Sequence, residues 1–250
     1  MRPMNHIVRE GYEGTGPGAI TPDGCSVEHY KRAGVRDEPE WIAKGIGERL
    51  RGLRLLELGS GVGRLTRPLT EMGLEVTAVD ESPEMLAAVR ESLPGVRTVR
   101  SAIETLELGG ERGVERFDVV LLASFLVHAG LEGVREGILA SCRRHVAEDG
   151  VVLIQREAAG MHENLPYERH MEGGGVVRIA ASTPAEGVGR PGARTVVAEY
   201  YYPDAKWTQT FLSCPLTDEE FEAALGEAGL ALTGYMDPAK TWARAVPVGP

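Results

Sequence analysis

Short apolar runs alternate with amphipathic stretches along much of the chain. Each run is continuous and bounded by turn residues, which is the pattern of a strand buried on both faces of a parallel sheet. The stretches between the runs carry apolar residues at helical spacing. This alternation predicts an α/β, doubly wound fold. The predicted strands are 53–58, 75–79, 96–100, 117–122 and 151–155, and the predicted helices between them are 64–72, 82–93 and 133–145.

Two helix starts are marked by capping residues. Ser82 precedes Pro83, and a serine N-cap followed by proline at the first helical position begins a helix. Thr217 and Glu220 have the spacing of a capping box, so a second helix is expected over 217–229. Two apolar strands are expected after it, at 230–235 and 241–246.

The alternation of strand and helix stops after residue 156. Loop-like stretches at 157–175 and 182–194 flank segments that have the composition of strands. Because turn residues separate these segments, we expect an antiparallel three-stranded meander inserted into the α/β domain. Its predicted strands are 176–181, 195–202 and 207–214.

The beginning of the chain differs from the rest. Residues 1–24 are rich in glycine and proline and show no periodicity, which predicts a loop or an arm. Short helices are expected at 26–31 and 38–50. The chain is therefore expected to have four parts: an arm with helices at 1–48, a core at 49–156, a β insertion at 157–215, and a C-terminal helix with a strand hairpin at 216–250.

A glycine-rich turn, Gly59 to Gly63, connects the first predicted core strand to the helix after it. Alternate glycines allow positive φ and let a ligand lie against the bare backbone. The free N–H groups of the helix start point back into the same turn. Asp80 ends the next strand, where a carboxylate can accept hydrogen bonds from the two hydroxyls of a ribose. The unit is therefore expected to bind a nucleoside.

The spacing of the glycines bears on which nucleoside is bound. A dinucleotide fingerprint needs a glycine where Arg64 stands, and the last glycine here, Gly63, comes one residue early. A nicotinamide-dependent oxidoreductase would also need a hydride-transfer group such as Tyr-x-x-x-Lys. That spacing occurs at Tyr202 and Lys206, in the insertion and away from the nucleotide turn. This class remains as an alternative.

The pattern Glu57-x-Gly59-x-Gly61-x-Gly63 resembles the first motif of class I S-adenosylmethionine-dependent methyltransferases. The resemblance implies a Rossmann-like, seven-stranded mixed sheet, closed by an antiparallel hairpin. It also implies lid helices ahead of the first core strand, and an insertion after the fifth strand that caps the substrate. The arm sequence over 16–30 resembles the small bacterial methyltransferases of secondary metabolism.

The resemblance also implies which residues bind S-adenosylmethionine. Glu57 would hold the methionine ammonium, the glycine turn would support the cofactor with its backbone, and Asp80 would bind the ribose. The family usually places an acid near the adenine amino group, where this chain has Ser101. The whole implied set is Glu57, Gly59, Ser60, Gly61, Gly63, Asp80, Glu81, Met85, Ser101, Ala102, Ile103 and Ala123.

Candidate catalytic and substrate residues follow the fourth strand, occupy the insertion and, in the case of Tyr30, lie in the predicted lid helices ahead of the first core strand. His128 has a side-chain pKa suited to taking a proton near neutrality, so it is the candidate general base and a substrate contact. A purely structural histidine is the alternative. Tyr30, Tyr200, Tyr202 and Trp207 are candidates for an aromatic acceptor pocket, and ordinary core packing is equally open for them.

The composition of the chain limits the kinds of binding partner that we expect. The 250 residues carry a net charge of −10, and the sequence shows no basic block, so a nucleic-acid partner is not expected. The three cysteines are far apart and in no metal spacing, and His162, Glu163, Glu168 and His170 do not form a convincing metal motif, so no metal is expected. No apolar signal core or membrane span is visible, so we expect a cytoplasmic protein without membrane contact, either a monomer or a homodimer.

The resemblance to class I methyltransferases implies an enzyme that moves the methyl group of S-adenosylmethionine to an O, N or C nucleophile of a small molecule or peptide-like natural product. The sulfonium already makes the methyl group reactive, so the protein mainly has to position the two reactants and exclude water. A general base is then optional. A protein of the same fold that binds the cofactor without transferring the methyl group is the second alternative.

Overall fold

The computed structural model describes residues 8–110 and 113–249. Within these ranges, a seven-stranded sheet and a five-stranded sheet contain most of the strands. In chain order the elements are β1 (Glu13–Thr15), α1 (Val27–Arg32), α2 (Glu38–Ile46), β2 (Arg54–Leu58), α3 (Thr66–Glu71), β3 (Glu75–Asp80), α4 (Pro83–Ser92), β4 (Arg97–Arg100), β5 (Gly109–Gly110), β6 (Gly113–Val114), β7 (Phe117–Leu122), α5 (Val134–His145), β8 (Val146–Gln155), β9 (Tyr167–His170), β10 (Val176–Pro184), β11 (Arg194–Tyr202), β12 (Ala205–Ser213), α6 (Asp218–Glu227), β13 (Leu230–Tyr235) and β14 (Trp242–Pro247).

The large sheet has the strand order β13, β14, β8, β7, β2, β3, β4. Strands β8, β7, β2, β3 and β4 run parallel to one another, whereas β14 pairs antiparallel with both β8 and β13. The predicted seven-stranded mixed sheet, closed by a C-terminal hairpin, is therefore confirmed. The order reverses at β2, and ligands of open α/β sheets bind at such a switch point, outside the carboxyl ends of the strands.

Helices cover both faces of this sheet, as a doubly wound fold requires. On one face, Leu56 and Leu58 belong to an apolar cluster that includes residues of α5 and α6. On the other face, Leu55 belongs to a cluster with Ile42 of α2 and Leu69 of α3. Because successive side chains of a strand point to opposite faces, the continuous apolar run of β2 supplies both clusters.

The predicted helix starts are present. The side chain of Ser82 accepts a hydrogen bond from the Met85 N–H, and Thr217 and Glu220 form a complete capping box. Some bounds differ from the predicted ones. Helix α2 ends at Ile46 before Gly47, and α3 covers only Thr66–Glu71. Pro68 is the third residue of α3 and so lies in its first turn, where proline is tolerated.

The second sheet is antiparallel, with the order β1, β12, β11, β10, β9. It contains the predicted meander, β10 to β12, and two strands that were predicted as loops. Strand β9 lies within 157–175, where the short, charged segment YERH carries no strand pattern but pairs with β10. Strand β1 lies in the arm and pairs with β12, so at least this part of the arm belongs to the insertion's sheet. Residues 1–7 of the predicted arm lie outside the described residues.

The cap sheet, as we name the five strands β1, β12, β11, β10 and β9, meets the carboxyl edge of the large sheet. The N–H of Cys214, just after β12, donates to the carbonyl oxygen of His128, which follows β7, at 2.7 Å. A bridge between Ala129 and Ser213 adds to this contact. The cavity described below lies at this junction. Among the described residues, no helix is long and apolar enough to cross a membrane.

Candidate active site

A cavity of about 760 Å³ lies between the carboxyl edge of the large sheet and the cap sheet. From the core, Gly59 and Asp80 line it, and from the cap sheet, Tyr200 and Phe211 do so. Residues of α1 and α2 also contribute to its wall. This volume lies within the range of about 300–1,000 Å³ that is typical of small-molecule pockets.

The glycine turn lies at one end of the cavity. Gly59 has a φ of 75°, and a Cβ built on it would lie 2.6 Å from Cδ1 of Leu126. Both the backbone conformation and the space therefore require glycine at this position. Gly61 has a φ of 54°, and its N–H donates to Oδ2 of Asp80 at 2.8 Å. The turn and the end of β3 are thus fixed to each other through Asp80.

The Asp80 carboxylate is oriented by backbone donors. Besides the Gly61 contact, its Oδ1 accepts the N–H of Ser82 at 2.9 Å. Burial raises its pKa to about 6, against the opposing effect of the two N–H donors. A carboxylate offers about four acceptor positions, so about two remain for a ligand in the cavity. This is the geometry that recognition of a ribose diol requires.

Glu57 lies behind the turn and not on the cavity wall. Its side chain is buried, and its Oε2 accepts the hydroxyl hydrogen of Thr66 at 2.5 Å. Burial raises its pKa to about 7. The structure therefore does not bring Glu57 into the direct contact with a methionine ammonium that the resemblance implied. Its carboxylate instead joins β2 to the start of α3.

The predicted cofactor residues fall into two groups, those that line the cavity and those that do not. Most of them line the cavity: Gly59, Gly61, Asp80, Glu81, Met85, Ser101, Ala102 and Ile103. Four do not: Glu57, Ser60, Gly63 and Ala123. The Ser101 hydroxyl donates to the carbonyl oxygen of Ala102 at 2.8 Å, which leaves the lone pairs of the hydroxyl oxygen free to accept a hydrogen bond.

An ion-pair cluster at the nucleoside end was not predicted from the sequence. Arg9 of the arm lies 2.9 Å from Glu81 and 2.9 Å from Glu104, and all three residues line the cavity. The cluster ties the arm to the loops after β3 and β4. Glu104 lies four residues beyond the end of β4, and the sequence pattern does not indicate its pairing with Arg9, 95 positions away.

Arg64 also connects distant elements. Its guanidinium donates to Glu38 at 2.6 Å and to the carbonyl oxygen of Gly34 at 3.3 Å. Thus the residue that replaces the last glycine of a dinucleotide fingerprint ties α2 to the glycine turn. Since Arg64 and Glu38 both line the cavity, α2 forms part of its wall.

His128 lines the cavity and is only 3% exposed. Its Nε2 accepts the backbone N–H of Glu157 at 3.0 Å, so this nitrogen has no lone pair left for a substrate proton. Burial lowers its pKa to about 4. The geometry therefore does not favour the predicted role of general base for His128. The neutral ring carries its hydrogen on Nδ1, which has no hydrogen-bond partner among the described residues.

The acid beside His128 is Glu157, which the sequence analysis did not identify. It follows β8 at the carboxyl edge, lines the cavity, and its side chain is 5% exposed. Its Oε1 accepts the hydroxyl hydrogen of Ser213 at 2.7 Å, and its Oε2 lies 2.9 Å from Nε2 of His162. These hydrogen bonds, that with His162 first, lower its pKa against the effect of burial. Glu157 is therefore an ionised acid inside the cavity at neutral pH.

Of the predicted aromatic residues of the acceptor pocket, some line the cavity and others do not. Tyr30 and Tyr200 line the cavity, and the Tyr200 hydroxyl donates to Gln209 at 3.1 Å. Tyr202 and Trp207 do not line it. They pack edge to face on each other at 5.7 Å, and the Trp207 N–H donates to the carbonyl oxygen of Pro17 at 2.8 Å. The prediction that these two contact the acceptor is therefore corrected: Trp207 instead fixes the arm to the cap sheet.

The backbone is strained where β7 ends. Ser124 and Phe125 both have positive φ, 56° and 62°, which is uncommon for residues other than glycine. The N–H of Ser124 donates to the side chain of Gln155 at 2.8 Å, which helps to hold this conformation. Both strained residues line the cavity. Such strain is concentrated at functional sites, and nothing in the local sequence pattern indicated it.

No metal-binding group of three or more His, Cys, Asp or Glu side chains occurs in the part of the chain that the structure describes. His162, one of the His/Glu residues noted in the sequence, turns towards Glu157 and Ser182. Its role is therefore within the cavity's hydrogen-bond network.

The core is similar in sequence to known methyltransferases. Residues 56–152 match the family model of the methyltransferase domain. An uncharacterised methyltransferase of Mycobacterium bovis is 39% identical over 88 residues, which is 34% of this chain and 34% of that protein. A ubiquinone biosynthesis O-methyltransferase of a Bradyrhizobium species is 31% identical over 106 residues, or 42% of this chain and 40% of that protein. The matches thus span well under half of these relatives.

Comparison with solved structures covers more of the chain. An amino pentose methyltransferase of calicheamicin biosynthesis from Micromonospora echinaspora, solved with bound S-adenosylmethionine, has a TM-score of 0.66 at 21% identity, covering 88% of this chain and 95% of that one. A sugar N-methyltransferase from a Streptoalloteichus species has a TM-score of 0.64 at 20% identity, covering 85% and 87%. These similarities confirm the predicted fold.

Proposed function

Because residues 56–152 match the family model of the methyltransferase domain and the chain has the class I methyltransferase fold, we propose that it transfers the methyl group of S-adenosylmethionine to a small molecule. One observation carries the proposal. The Asp80 carboxylate, oriented by the N–H groups of Gly61 and Ser82, faces a cavity that also opens onto the cap sheet. Donor and acceptor can therefore occupy one enclosed space.

The residues of this cavity fit S-adenosylmethionine. Asp80 has acceptor positions left for the ribose diol, and the bare backbone of Gly59 also lines the cavity. Met85 and Ile103 offer apolar walls to the adenine, and Ser101 offers an acceptor to its amino group. When bound, the cofactor supplies an electrophilic methyl group. The chain's residues contribute by holding the acceptor close to that group and excluding water.

The cap sheet suggests the kind of acceptor. Val177, Ile179, Tyr200 and Phe211 give the cavity an apolar, partly aromatic wall. A flat or apolar small molecule matches this surface, and the acidic chain as a whole does not match a nucleic acid. The calicheamicin enzyme among the structural neighbours acts in natural-product biosynthesis, which supports the same setting for this protein. The three unpaired thiols fit the cytoplasmic location that we propose.

We propose that the four parts of the chain have different roles. The core at 49–156 binds the donor, and the insertion at 157–215 covers the acceptor. The arm and helices of 1–48 close the cavity: Arg9 contacts the acids at the nucleoside end, and Glu38 pairs with Arg64 beside the glycine turn. The C-terminal segment 216–250 contributes the hairpin β13 and β14 to the sheet.

Calorimetric titration with S-adenosylmethionine, S-adenosylhomocysteine and NADH tests the proposal. We expect both sulfur nucleosides to bind with micromolar affinity, and Asp80→Ala to abolish that binding. Asp149→Ala is the matched control, since Asp149 is an exposed acid of β8 that does not line the cavity. Binding of NADH alone, or of neither sulfur nucleoside, would overturn the proposal. Release of S-adenosylhomocysteine in the presence of an acceptor separates a transferase from a protein that only binds the cofactor.

A further inference from the structure

A buried N–H donor and a buried carboxylate lie side by side on the acceptor side of the cavity. Nδ1 of His128 is 4.0 Å from Oε2 of Glu157, too far for a hydrogen bond. The hydrogen bond that Nε2 of His128 accepts determines which ring nitrogen carries the hydrogen. Since Nε2 accepts a backbone N–H, the neutral ring must carry its hydrogen on Nδ1. That buried donor has no hydrogen-bond partner among the described residues, and His128 lines the cavity.

The carboxylate is held by a chain of hydrogen bonds that runs into the cap sheet. Nε of Arg194 donates to the hydroxyl oxygen of Ser182 at 2.7 Å, and that hydroxyl lies 2.8 Å from Nδ1 of His162. Nε2 of His162 lies 2.9 Å from Oε2 of Glu157. With the Arg194 N–H donating first, each group can donate to the next, and a neutral His162 satisfies the whole chain. Ser213 adds a donor to the other oxygen, so Glu157 is a positioned, ionised base.

We propose that the methyl acceptor is an aromatic hydroxyl, that Glu157 is the general base that takes its proton, and that His128 positions the hydroxyl oxygen. The proposal rests on the methyltransferase function proposed above. An oxygen about 2.8 Å from both Nδ1 and Oε2 would see them about 90° apart, so one oxygen can accept from the ring and donate to the carboxylate. Its second lone pair remains free to attack the methyl carbon.

An amine fits this pair less well. A neutral amine has one lone pair, which it needs for the attack, so it cannot accept the Nδ1 hydrogen of His128. A protonated amine has no lone pair and brings positive charge towards that same hydrogen. An aliphatic alcohol is far less acidic than a phenol, whose pKa is about 10, so a carboxylate base favours the phenol. The aromatic wall at Tyr200 and Phe211 suits a phenol ring.

The step balances in atoms and electrons. The acceptor oxygen forms a bond to the methyl carbon while its O–H hydrogen moves to Oε2 of Glu157. The bond between that carbon and the sulfonium sulfur breaks, and its electron pair stays on the sulfur of S-adenosylhomocysteine. The products are an aryl methyl ether, S-adenosylhomocysteine and a protonated Glu157, which returns its proton to solvent when the products leave.

Pairs of phenols and amines with the same carbon skeleton test whether the methyl group is transferred to oxygen or to nitrogen. The probes are phenol, 4-methylphenol and 1-naphthol, each compared with the amine of the same skeleton, and the readout is release of S-adenosylhomocysteine. We expect turnover of at least one phenol and none of its amine partner. Preferred turnover of the amines, or no turnover of any phenol by protein that binds S-adenosylhomocysteine, overturns this proposal and leaves the methyltransferase proposal intact. Failure to bind S-adenosylhomocysteine overturns the methyltransferase proposal itself.

Variants test the base. For Glu157→Gln we expect kcat to fall by about 100-fold or more, since general bases contribute about 10²–10⁴, while KM and the Kd of S-adenosylhomocysteine change by less than about threefold. Glu168→Gln, at an exposed acid of β9 that does not line the cavity, is the control and should match wild type. Wild-type kcat in Glu157→Gln would contradict the role of base. So would an equal loss of kcat and S-adenosylhomocysteine affinity, which would indicate a structural role.

A measurement without turnover tests the positioning role. Nitrogen NMR of His128 should show the neutral Nδ1–H form from pH 8 down to about pH 5, and 1-naphthol should shift the Nδ1 signal in wild type and not the signal of surface His170. The charged and titratable groups around the pair are His162, Arg135, Arg156 and Tyr167. An Nε2–H tautomer, or no response to 1-naphthol, would contradict the arrangement.

Discussion

The two ends of the cavity hold their acids in opposite ways. At the nucleoside end, Asp80 is fixed by backbone N–H groups within two adjacent βα turns, and burial raises its pKa to about 6. At the acceptor end, Glu157 is fixed by side chains from the cap sheet and the loop before it, and its pKa is lowered. A backbone-built site depends on the fold alone. A site built from side chains can change with the insertion, which suits a common donor and a variable acceptor.

The largest effect on S-adenosylhomocysteine binding among these variants should come from adding a side chain to the glycine turn. We expect Gly59→Ala to weaken S-adenosylhomocysteine binding by about 100-fold or more, because the new methyl group would meet Leu126 at 2.6 Å and the residue would keep a positive φ. Gly133→Ala is the matched control, because Gly133 has nearly the same φ, 74°, but open space around its Cβ position. Titration calorimetry measures both. Equal effects of the two substitutions would show that backbone strain, and not the fit of the turn, is responsible.

A smaller effect is expected on the stability of the fold, because burying the ionised Glu57 carboxylate behind the glycine turn costs free energy. The pKa of Glu57 is about 7 in the folded protein and 4.5 in a free side chain, so the folded state keeps a proton between these values that the unfolded state releases. Stability is therefore lost as pH rises from about 4.5 to 7. We expect Glu57→Gln to raise the free energy of unfolding by about 1–3 kcal/mol at pH 8 and by almost nothing at pH 4.

Urea denaturation at several pH values measures the effect of Glu57→Gln. Glu148→Gln, at a largely exposed acid, is the control and should show no such dependence. A loss of stability in Glu57→Gln at pH 8 would mean that the hydrogen bond with Thr66 outweighs the cost of burying the charge.

The smallest effect should come from the ion pairs that hold the arm. Arg9→Gln removes the contacts to Glu81 and Glu104, which are partly exposed, and such pairs contribute about 0.2–1 kcal/mol each. We expect S-adenosylhomocysteine to dissociate a few-fold faster, with the difference from wild type shrinking in high salt. Arg32→Gln, which breaks an exposed pair with Asp204 away from the cavity, should leave the rate unchanged. Stopped-flow displacement measures these rates, and an unchanged rate in Arg9→Gln would exclude the arm as a barrier.

The sequence allowed the nucleoside end to be located because its parts are local. The turn at Gly59 and Gly61 and the acid at Asp80 lie within one βαβ unit, so strand pattern and spacing placed them together. The same reasoning could not show that Glu57 faces away from the cavity, because strand alternation does not say which face holds the ligand. The helix caps at Ser82 and Thr217 were readable for the same local reason.

The acceptor end was largely beyond prediction because its parts are distant in sequence. Glu157 meets Ser213 across 56 positions, and His162 meets Ser182 across 20. Tyr202 and Trp207 had the composition of a binding surface, but only the packing of the arm on the cap sheet shows that they are covered. The strand-end rule that identified Asp80 would also have flagged Glu157, the acid just after β8, had it been applied there.

The most direct test of the division between the two ends is a paired titration of Asp80→Asn and Glu157→Gln with S-adenosylhomocysteine. If the donor and acceptor sites are separate, Asp80→Asn should raise the Kd by about tenfold or more, while Glu157→Gln should leave it within about threefold of wild type. An equal loss of affinity in both variants, or normal affinity in Asp80→Asn, would contradict the assignment of these two acids to donor and acceptor.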